Sequence, residues 1–587
     1  MVANVLRELQ RRNVIRAAIL YVGGVWLLAQ VIVTLGPVVG APDWLARGFL
    51  IAAAIGFPFW IAFAWFYEFT PEGIRRESEV DSDRSILKAT GRRLDFLIIG
   101  VLTVAVVLLL TDRFLRRETQ SAPAPAVAEK SVAVLPLVNE SGDANALYFS
   151  DGLSEAFIDA LSQFPGLKVI ARASSFQFRN SKDPVSVIGG KLGVAHLLEG
   201  SVQRAGNDVR ISAELISVKD GTAIWSEHYD RPYKDLFKLQ DDITSAVATS
   251  LKTKLLGGSN ALPPQSDRPP NGNLAAYNAY LEGSFYSHRT TPEDQSKAVA
   301  ALNSAVKLDP DYAAAWARLS TAEINVASDS ASSAALTQIL PQAHDHAEKA
   351  VALAPDLALA HNTLGNVLLV ESNWSGAEAQ FRRALELAPA FASAKLSLAN
   401  LAASLGRPEE AVPLLQQALK LDPLRSAFYL DLALDLLPLG RLDEAETAIR
   451  NAIALLPDGT NFYATLSEID ILRGDAKAAL ADAQREPAGL YHDNAVTQAL
   501  QIGTDRAAAD TALKNFIARY SQDGPFQIAE TYALRKEADN MFKWLEHAHA
   551  ANDPGLQGLL FDPFILPYRR DPRFAKLCEE LKLPVPK

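Results

Sequence analysis

From Ala17 to Pro42 the chain carries no charged side chain, and the run contains Leu20, Val25, Trp26, Leu27, Leu28, Val31 and Ile32. A second uncharged run extends from Gly48 to Tyr67, with Trp60, Trp65, Phe66 and Tyr67 gathered toward one end. A third lies between Asp95 and Asp112, from Phe96 to Thr111. A spanning helix needs about 20 mainly apolar residues and collects aromatic rings at headgroup level. The pattern therefore predicts a membrane region over residues 1–117 with three transmembrane helices, at about 15–36, 46–67 and 94–114. Residues 118–130, with Ala122, Pro123, Ala124, Pro125 and Ala126, read as a Pro/Ala linker.

Beyond the linker the apolar periods shorten and alternate. Ser131–Leu137 is a Val- and Leu-rich run of buried-strand type. Leu153, Phe157, Ile158 and Leu161 recur at helical spacing, with Asp151 placed to cap that helix, Glu155 in its first turn and Pro165–Gly166 to end it. Leu167–Ala171 reads as a strand and Val185–Leu192 as a helix. Leu197–Arg204 is a strand that turns at Gly206–Asn207. Val209, Ile211, Ala213 and Leu215 then alternate with polar residues, and Asp220–Gly221 marks a second hairpin. Trp225 and Tyr229 share a face of the next strand, and Asp235–Leu256 closes the segment as an amphipathic helix. These elements make residues 131–256 an α/β domain, followed by a linker at 257–272.

A different period governs the rest. AVKLDP, AVALAP, ALELAP, ALKLDP and AIALLP end at Pro310, Pro355, Pro389, Pro423 and Pro457, and the last four prolines are 34 residues apart. This is the tetratricopeptide (TPR) period. With each proline set as position 32, position 20 is Ala298, Ala343, Ala377, Ala411 and Ala445, and position 27 is Ala305, Ala350, Ala384, Ala418 and Ala452. Position 8, where paired helices approach most closely, is Gly365, Ala399 and Ala433. The first interval is 45 residues, and its excess is expected around Ser328–Ser333, between the helices of that repeat. Degenerate pairs continue toward residue 550, giving an all-α superhelical solenoid over 273–550 with a capping tail at 551–587. First helices line the groove of such a solenoid, and the phase points Asn362, Asn366 and Asn400 into it. An Asn there can hydrogen-bond an extended peptide backbone, so proteins or peptides are the expected partners.

Charge separates the two ends. Residues 1–120 hold 14 Lys and Arg against 11 Asp and Glu, and the remainder holds 43 against 57. The acidic C-terminal part argues against nucleic-acid binding. Arg7, Arg11, Arg12 and Arg16 precede the first apolar run, and Arg75, Arg76, Arg84, Lys88, Arg92 and Arg93 follow the second, with Arg47 alone between them. Both basic segments belong on the cytoplasmic side. Three spans then carry everything after residue 115 out of the cytoplasm.

Candidate chemistry does not alter this picture. The sequence contains no P-loop, kinase motif, GxSxG or HExxH, and one cysteine, Cys578. His344 and His346, and likewise His547 and His549, stand two apart and do not share a helix face. His196 sits in an apolar strand as a packed residue. No catalytic, cofactor or metal residue is assigned, and a non-enzymatic interaction protein is expected.

The phrases VAVLPLVNESGD, YFSDGLSEAF, RASSFQF, LLEGSVQRAG and RISAELISVKDGTAIWSEHYDR resemble the TolB amino-terminal-like (FlgO-like) domain. RELQRRNVIRAAILYV and EFTPEGIRR resemble the membrane leader found ahead of it in one group of bacterial proteins. The resemblance implies a multidomain chain of a bacterial inner membrane: transmembrane helices, then a TolB-like α/β domain and a TPR solenoid on the periplasmic side. In other groups a class III nucleotide cyclase or a winged-helix domain stands in place of the membrane region, which implies a sensor or regulator as the alternative to a scaffold. That alternative needs a separate cytoplasmic partner.

Overall fold

The computed structural model describes residues 18, 21–26, 28–29, 44–70, 73–76, 129–143, 146–164, 166–252, 267–289, 291–329 and 333–586. The chain divides into two units at Ala126/Val127.

In the first unit, helix α1 (Trp44–Phe66) leads into a hairpin of β1 (Tyr67–Thr70) and β2 (Gly73–Arg76) that pairs Tyr67 with Arg76. Residues 21–26 are also helical. Their Tyr21 donates its hydroxyl to the Ala53 carbonyl at 2.8 Å and lies 5.8 Å, ring to ring, from Trp60. The phenol fits because Gly56 has no side chain; a Cβ there would stand 2.7 Å from the Tyr21 oxygen. Among the described residues no helix is long and apolar enough to cross a membrane. The side chains of α1 are described only at Phe49 and at 51–61, the span expected at 15–36 is described only in part, and the one at 94–114 lies outside the described residues.

The second unit opens with a mixed sheet. Strand β3 (Ser131–Val134) lies between β5 (Lys168–Val169) and β6 (His196–Ala205), parallel to both. Pro136 offers no N–H to a ladder, and β3 breaks there; β4 (Val138–Asn139) resumes the pairing with β6 one residue out of step. Antiparallel strands β7 (Asp208–Ser217) and β8 (Ala223–Pro232) complete the order β5-β3-β6-β7-β8. The hairpins turn at Gly206 and Gly221, both with positive φ. Around the sheet stand α2 (Leu147–Ser162), the single turn α3 (Arg172–Ser175), α4 (Val185–Leu192) and α5 (Leu236–Lys252). Sequence patterning places most of these elements; α3 is too short for a 3.6-residue period to reveal.

Eight helix pairs follow: α6 (Leu274–Ser287) with α7 (Pro292–Leu308), α8 (Ala313–Asp329) with α9 (Ser333–Leu353), α10 (Ala358–Val370) with α11 (Trp374–Leu387), and α12 (Ala392–Ser404) with α13 (Pro408–Leu421). The stack continues with α14 (Ser426–Leu436) and α15 (Leu442–Leu455), α16 (Phe462–Arg473) and α17 (Ala476–Ala483), α18 (Leu490–Gln501) and α19 (Arg506–Tyr520), then α20 (Pro525–Leu534) and α21 (Ala538–Ala551). Ser372, Gly406, Gly440 and Gly474 each take a left-handed φ at the turn inside a pair, repeating the 34-residue period in the backbone. The long second pair departs from the expected loop. Its helices have 17 and 21 residues against 13 and 14 in the pair after it. The added lengths are close to one and two helical turns, so each helix keeps its buried face in phase.

Small residues set the distance within a pair. Gly365 of α10 faces the Phe381 ring of α11, and a Cβ there would stand 2.5 Å from it. The aromatic ring fills the space that the missing side chain leaves. Gly365→Ala is expected to lower stability by about 1–3 kcal/mol through overpacking. Thermal and urea unfolding of the full-length chain checks this; an unchanged or raised midpoint contradicts the packing argument.

Candidate functional site

First helices touch the first helices of neighbouring pairs along the stack and so line its inner side. A polar ladder joins them. Thr321 of α8 meets Thr363 of α10 at 3.4 Å, and Ser397 of α12 donates to the Asn366 carbonyl at 3.2 Å. Both links join position 9 of one repeat to position 6 of the next. Of the three asparagines expected in the groove, Asn366 is half-buried and held by Ser397, whereas Asn400 is exposed. Asn362 is only 6% exposed, and its carbonyl oxygen has no partner among the described residues. One turn farther along the stack, Asp431 and Asp435 stand four apart on α14. Burial pushes the Asp431 carboxyl up to about 6, against the pull of Arg425. Burial, and then the Asp431 charge, push Asp435 up to about 8, and one Asp435 oxygen has no partner. Two acids at i,i+4 read in sequence as a solvated helix face, so no local signal marked them.

The α/β domain packs against the first helix of the stack. Helix α2 packs on α6, with Gly152 admitting Leu281. Glu155 of α2 receives Arg318 of α8 at 2.5 Å, Arg172 of α3 at 3.4 Å and His288 at 3.4 Å. Burial alone would raise its carboxyl; Arg318, His288 and Arg172 hold it well below the ordinary value. Asp151 does not cap α2. The helix starts four residues earlier, at Leu147, with no side-chain cap, and the Asp151 carboxylate takes both contacts from Arg179 at 2.7 Å. Helical geometry from Leu147 carries Asp151 past the free amides of the first turn, leaving its charge to Arg179.

The same domain reaches farther along the stack. The Ala171 amide donates to the Leu421 carbonyl at 2.8 Å, and Gln177 to the Leu424 carbonyl at 3.0 Å. The Ser174 hydroxyl donates to Asp422 and accepts from the Leu424 amide. The α/β domain thus bridges from α6 to the turn before α14.

The C-terminal segment packs on the stack as well. Leu560 packs on Gly406, and Phe561 joins the core that runs from α12 to α16. Asp562 accepts from the Phe564 and Ile565 amides at 3.0 and 2.8 Å. It faces Glu468 of α16 and Glu530 of α20, and Gln498 of α18 donates to Glu530 at 2.9 Å. Burial, then mutual repulsion, raises Glu530 well above the usual carboxylate value and Glu468 to about 8; burial raises Asp562 to about 6.

The histidine pairs are separated by their partners. His344 bonds Glu371 and His346 bonds Glu323, at 2.8 and 2.9 Å. His547 bonds the Ser521 carbonyl, and His196 the Ser131 carbonyl. Cys578 is buried.

Comparison with known proteins bears on both halves of this unit. The tetratricopeptide repeat family profile matches residues 362–426 and 396–460. The C-terminal stack is a TPR solenoid. Residues 128–246 match the profile of the HilA/YgeH-like transcriptional regulator, second domain, so this segment carries a different family description from the TolB-like one its phrases resemble. "Putative adenylate cyclase 3" of Rhizobium meliloti (strain 1021) is 36% identical over 195 residues, 33% of this chain and 32% of that protein. The chain therefore spans about a third of the length of that curated relative. Among solved structures, YrrB, a TPR protein with an unusual peptide-binding site, is 20% identical over 37% of this chain and 99% of its own (TM-score 0.27). Pseudomonas aeruginosa PilF is 18% identical over 38% and 96% (TM-score 0.31), and yeast Tom70 is 16% identical over 52% and 67% (TM-score 0.32).

The tail contact generates a pH dependence with a definite sign. Glu468, Glu530 and Asp562 have raised values in the docked state, so docking is most stable when they are protonated and weakens as pH rises through about 6 to 8. Amide exchange across residues 556–566, corrected for its intrinsic pH dependence, is expected to quicken over that range, and less so in Glu468→Gln and Glu530→Gln. A flat profile in the unaltered chain contradicts this assignment.

Proposed function

We propose that this chain is a non-enzymatic scaffold that recruits a protein partner through the inner surface of its TPR solenoid. The observation that carries this is the polar stretch on α10, α12 and α14. Along it Asn400 is exposed and Asn366 half-buried, while the Asn362 and Asp435 oxygens are enclosed. Extended peptides bind by satisfying groups of this kind. The uncharged runs in residues 1–117, together with Tyr21 fitted against Gly56, support membrane anchoring through helices, with the α/β and TPR parts in the periplasm. The TolB-like resemblance belongs to the same reading. A second reading, a sensor or regulator that signals to a cytoplasmic partner, is favoured by two matches: to a cyclase-named relative and to a transcriptional-regulator domain profile.

A photocrosslinking residue at Asn400 is expected to capture a discrete protein in cells, whereas the same residue at Arg450, on the second helix α15, captures none. Equal or absent labelling at both positions contradicts groove recruitment. Alkaline phosphatase fused after residue 130 is expected to be active. An inactive fusion, with a cytoplasm-only reporter active at the same site, overturns the periplasmic placement.

A further inference from the structure

Strand β8 is one edge of the sheet and the two-residue β5 the other. The β8 edge is ten residues long and, of these, only Tyr229 is buried. Along its outer side no backbone partner is present among the described residues. Such an edge is a ready template for another strand, and proteins usually blunt it with lysines, prolines, bulges or a short length. Here the guards sit at the ends: Pro232 at one, and at the other the irregularity opposite Leu215/Ile216. The central run Ser226–Arg231 has no lysine and no proline.

The charge order of that run selects an occupant. In an antiparallel pairing of two β8 strands about Tyr229, Glu227 stands opposite Arg231 of the second copy and His228 opposite its Asp230, and both pairs occur twice. Shifting the two-fold point by half a residue toward the N-terminus sets Glu227 against Asp230. A full residue toward the C-terminus sets Asp230 against itself. Opposite charges across strands stabilise and like charges destabilise by roughly 0.2–1 kcal/mol per pair. The Tyr229-centred register also extends rows already formed across the sheet. Arg210 holds Asp230 at 2.7 Å and Ser212 meets His228 at 2.8 Å, so each row continues into the partner copy. Tyr229 itself turns into the apolar core and leaves the outer edge clear.

We propose that β8 pairs with β8 of a second copy of this chain, antiparallel about Tyr229, making one continuous sheet across a two-fold dimer. The interface is separate from the TPR inner surface, so each dimer presents two recruiting grooves.

The test uses the full-length chain in non-ionic detergent. Sedimentation velocity is expected to show a dimer. Arg231→Glu sets carboxylates against each other at two places and is expected to weaken dimerisation on the order of tenfold or more. Adding Glu227→Arg to it restores the opposite-charge pairs and is expected to restore the dimer, which distinguishes lost pairing from lost folding. A chain carrying His228→Cys mixed with one carrying Asp230→Cys is expected to form the mixed disulfide in preference to either self-linked product; native Cys578 is buried. A monomeric unaltered chain overturns the proposal. So does a dimer indifferent to Arg231→Glu, a double variant that fails to recover, or self-linking of the His228→Cys chain as efficient as the mixed product.

Discussion

Glu155 is a carboxylate inside an interface, and it keeps its charge because the TPR array delivers a guanidinium to it. An unpaired buried charge is costly enough that removing one partner of such a pair typically destabilises by about 3–5 kcal/mol. Arg318 meets this need from 163 residues away, and it also bonds the Tyr280 hydroxyl at 2.9 Å. Among the described residues of the α/β domain Glu155 has only Arg172, farther off at 3.4 Å. The α/β domain and the first helix pairs are consequently one body, and a single apolar core runs from Val132 through Phe157 and Tyr277 to Ala360. The Gln240–Tyr277 and Tyr233–Asn278 bonds cross the same boundary at 2.9 and 2.7 Å.

That fusion decides which part of the solenoid can recruit. A free TPR stack exposes its whole inner surface. Here the α/β domain holds contacts from α6 to the turn before α14, and the tail around Asp562 faces α16 and α20, so both limit what the inner surface leaves to a partner. The two contacts differ in kind. The α/β contact rests on opposite charges in an apolar frame, whereas the tail contact sets three carboxylates together and holds best when they are protonated.

Most of the scaffold was legible in the sequence because it is periodic. Alternation gave β7, the 34-residue period gave the solenoid, and alanines at fixed positions gave its phase. What stayed hidden is what no period encodes. The Glu155–Arg318 pair joins residues 163 apart in sequence, and neither local pattern points to the other. Asp151 read as a cap because an acid before an apolar run commonly is one, but α2 begins earlier, at Leu147. Asn366 and Asn400 sit on first helices as the phase requires, yet sequence could not show that Ser397 already occupies Asn366 or that Asn362 is enclosed. The eleven-residue excess, expected around Ser328–Ser333 between the helices of the second pair, is instead wound into two longer helices.

The most direct test of this account is native-state hydrogen exchange of the full-length chain in rising denaturant. Amides of α2, α6 and α8 are predicted to open together at one free energy, and Arg318→Ala is predicted to lower that energy for all three by about 3–5 kcal/mol. If α2 keeps its protection while α6 and α8 open, or if Arg318→Ala affects α8 alone, the α/β domain and the array are independent and the account is wrong.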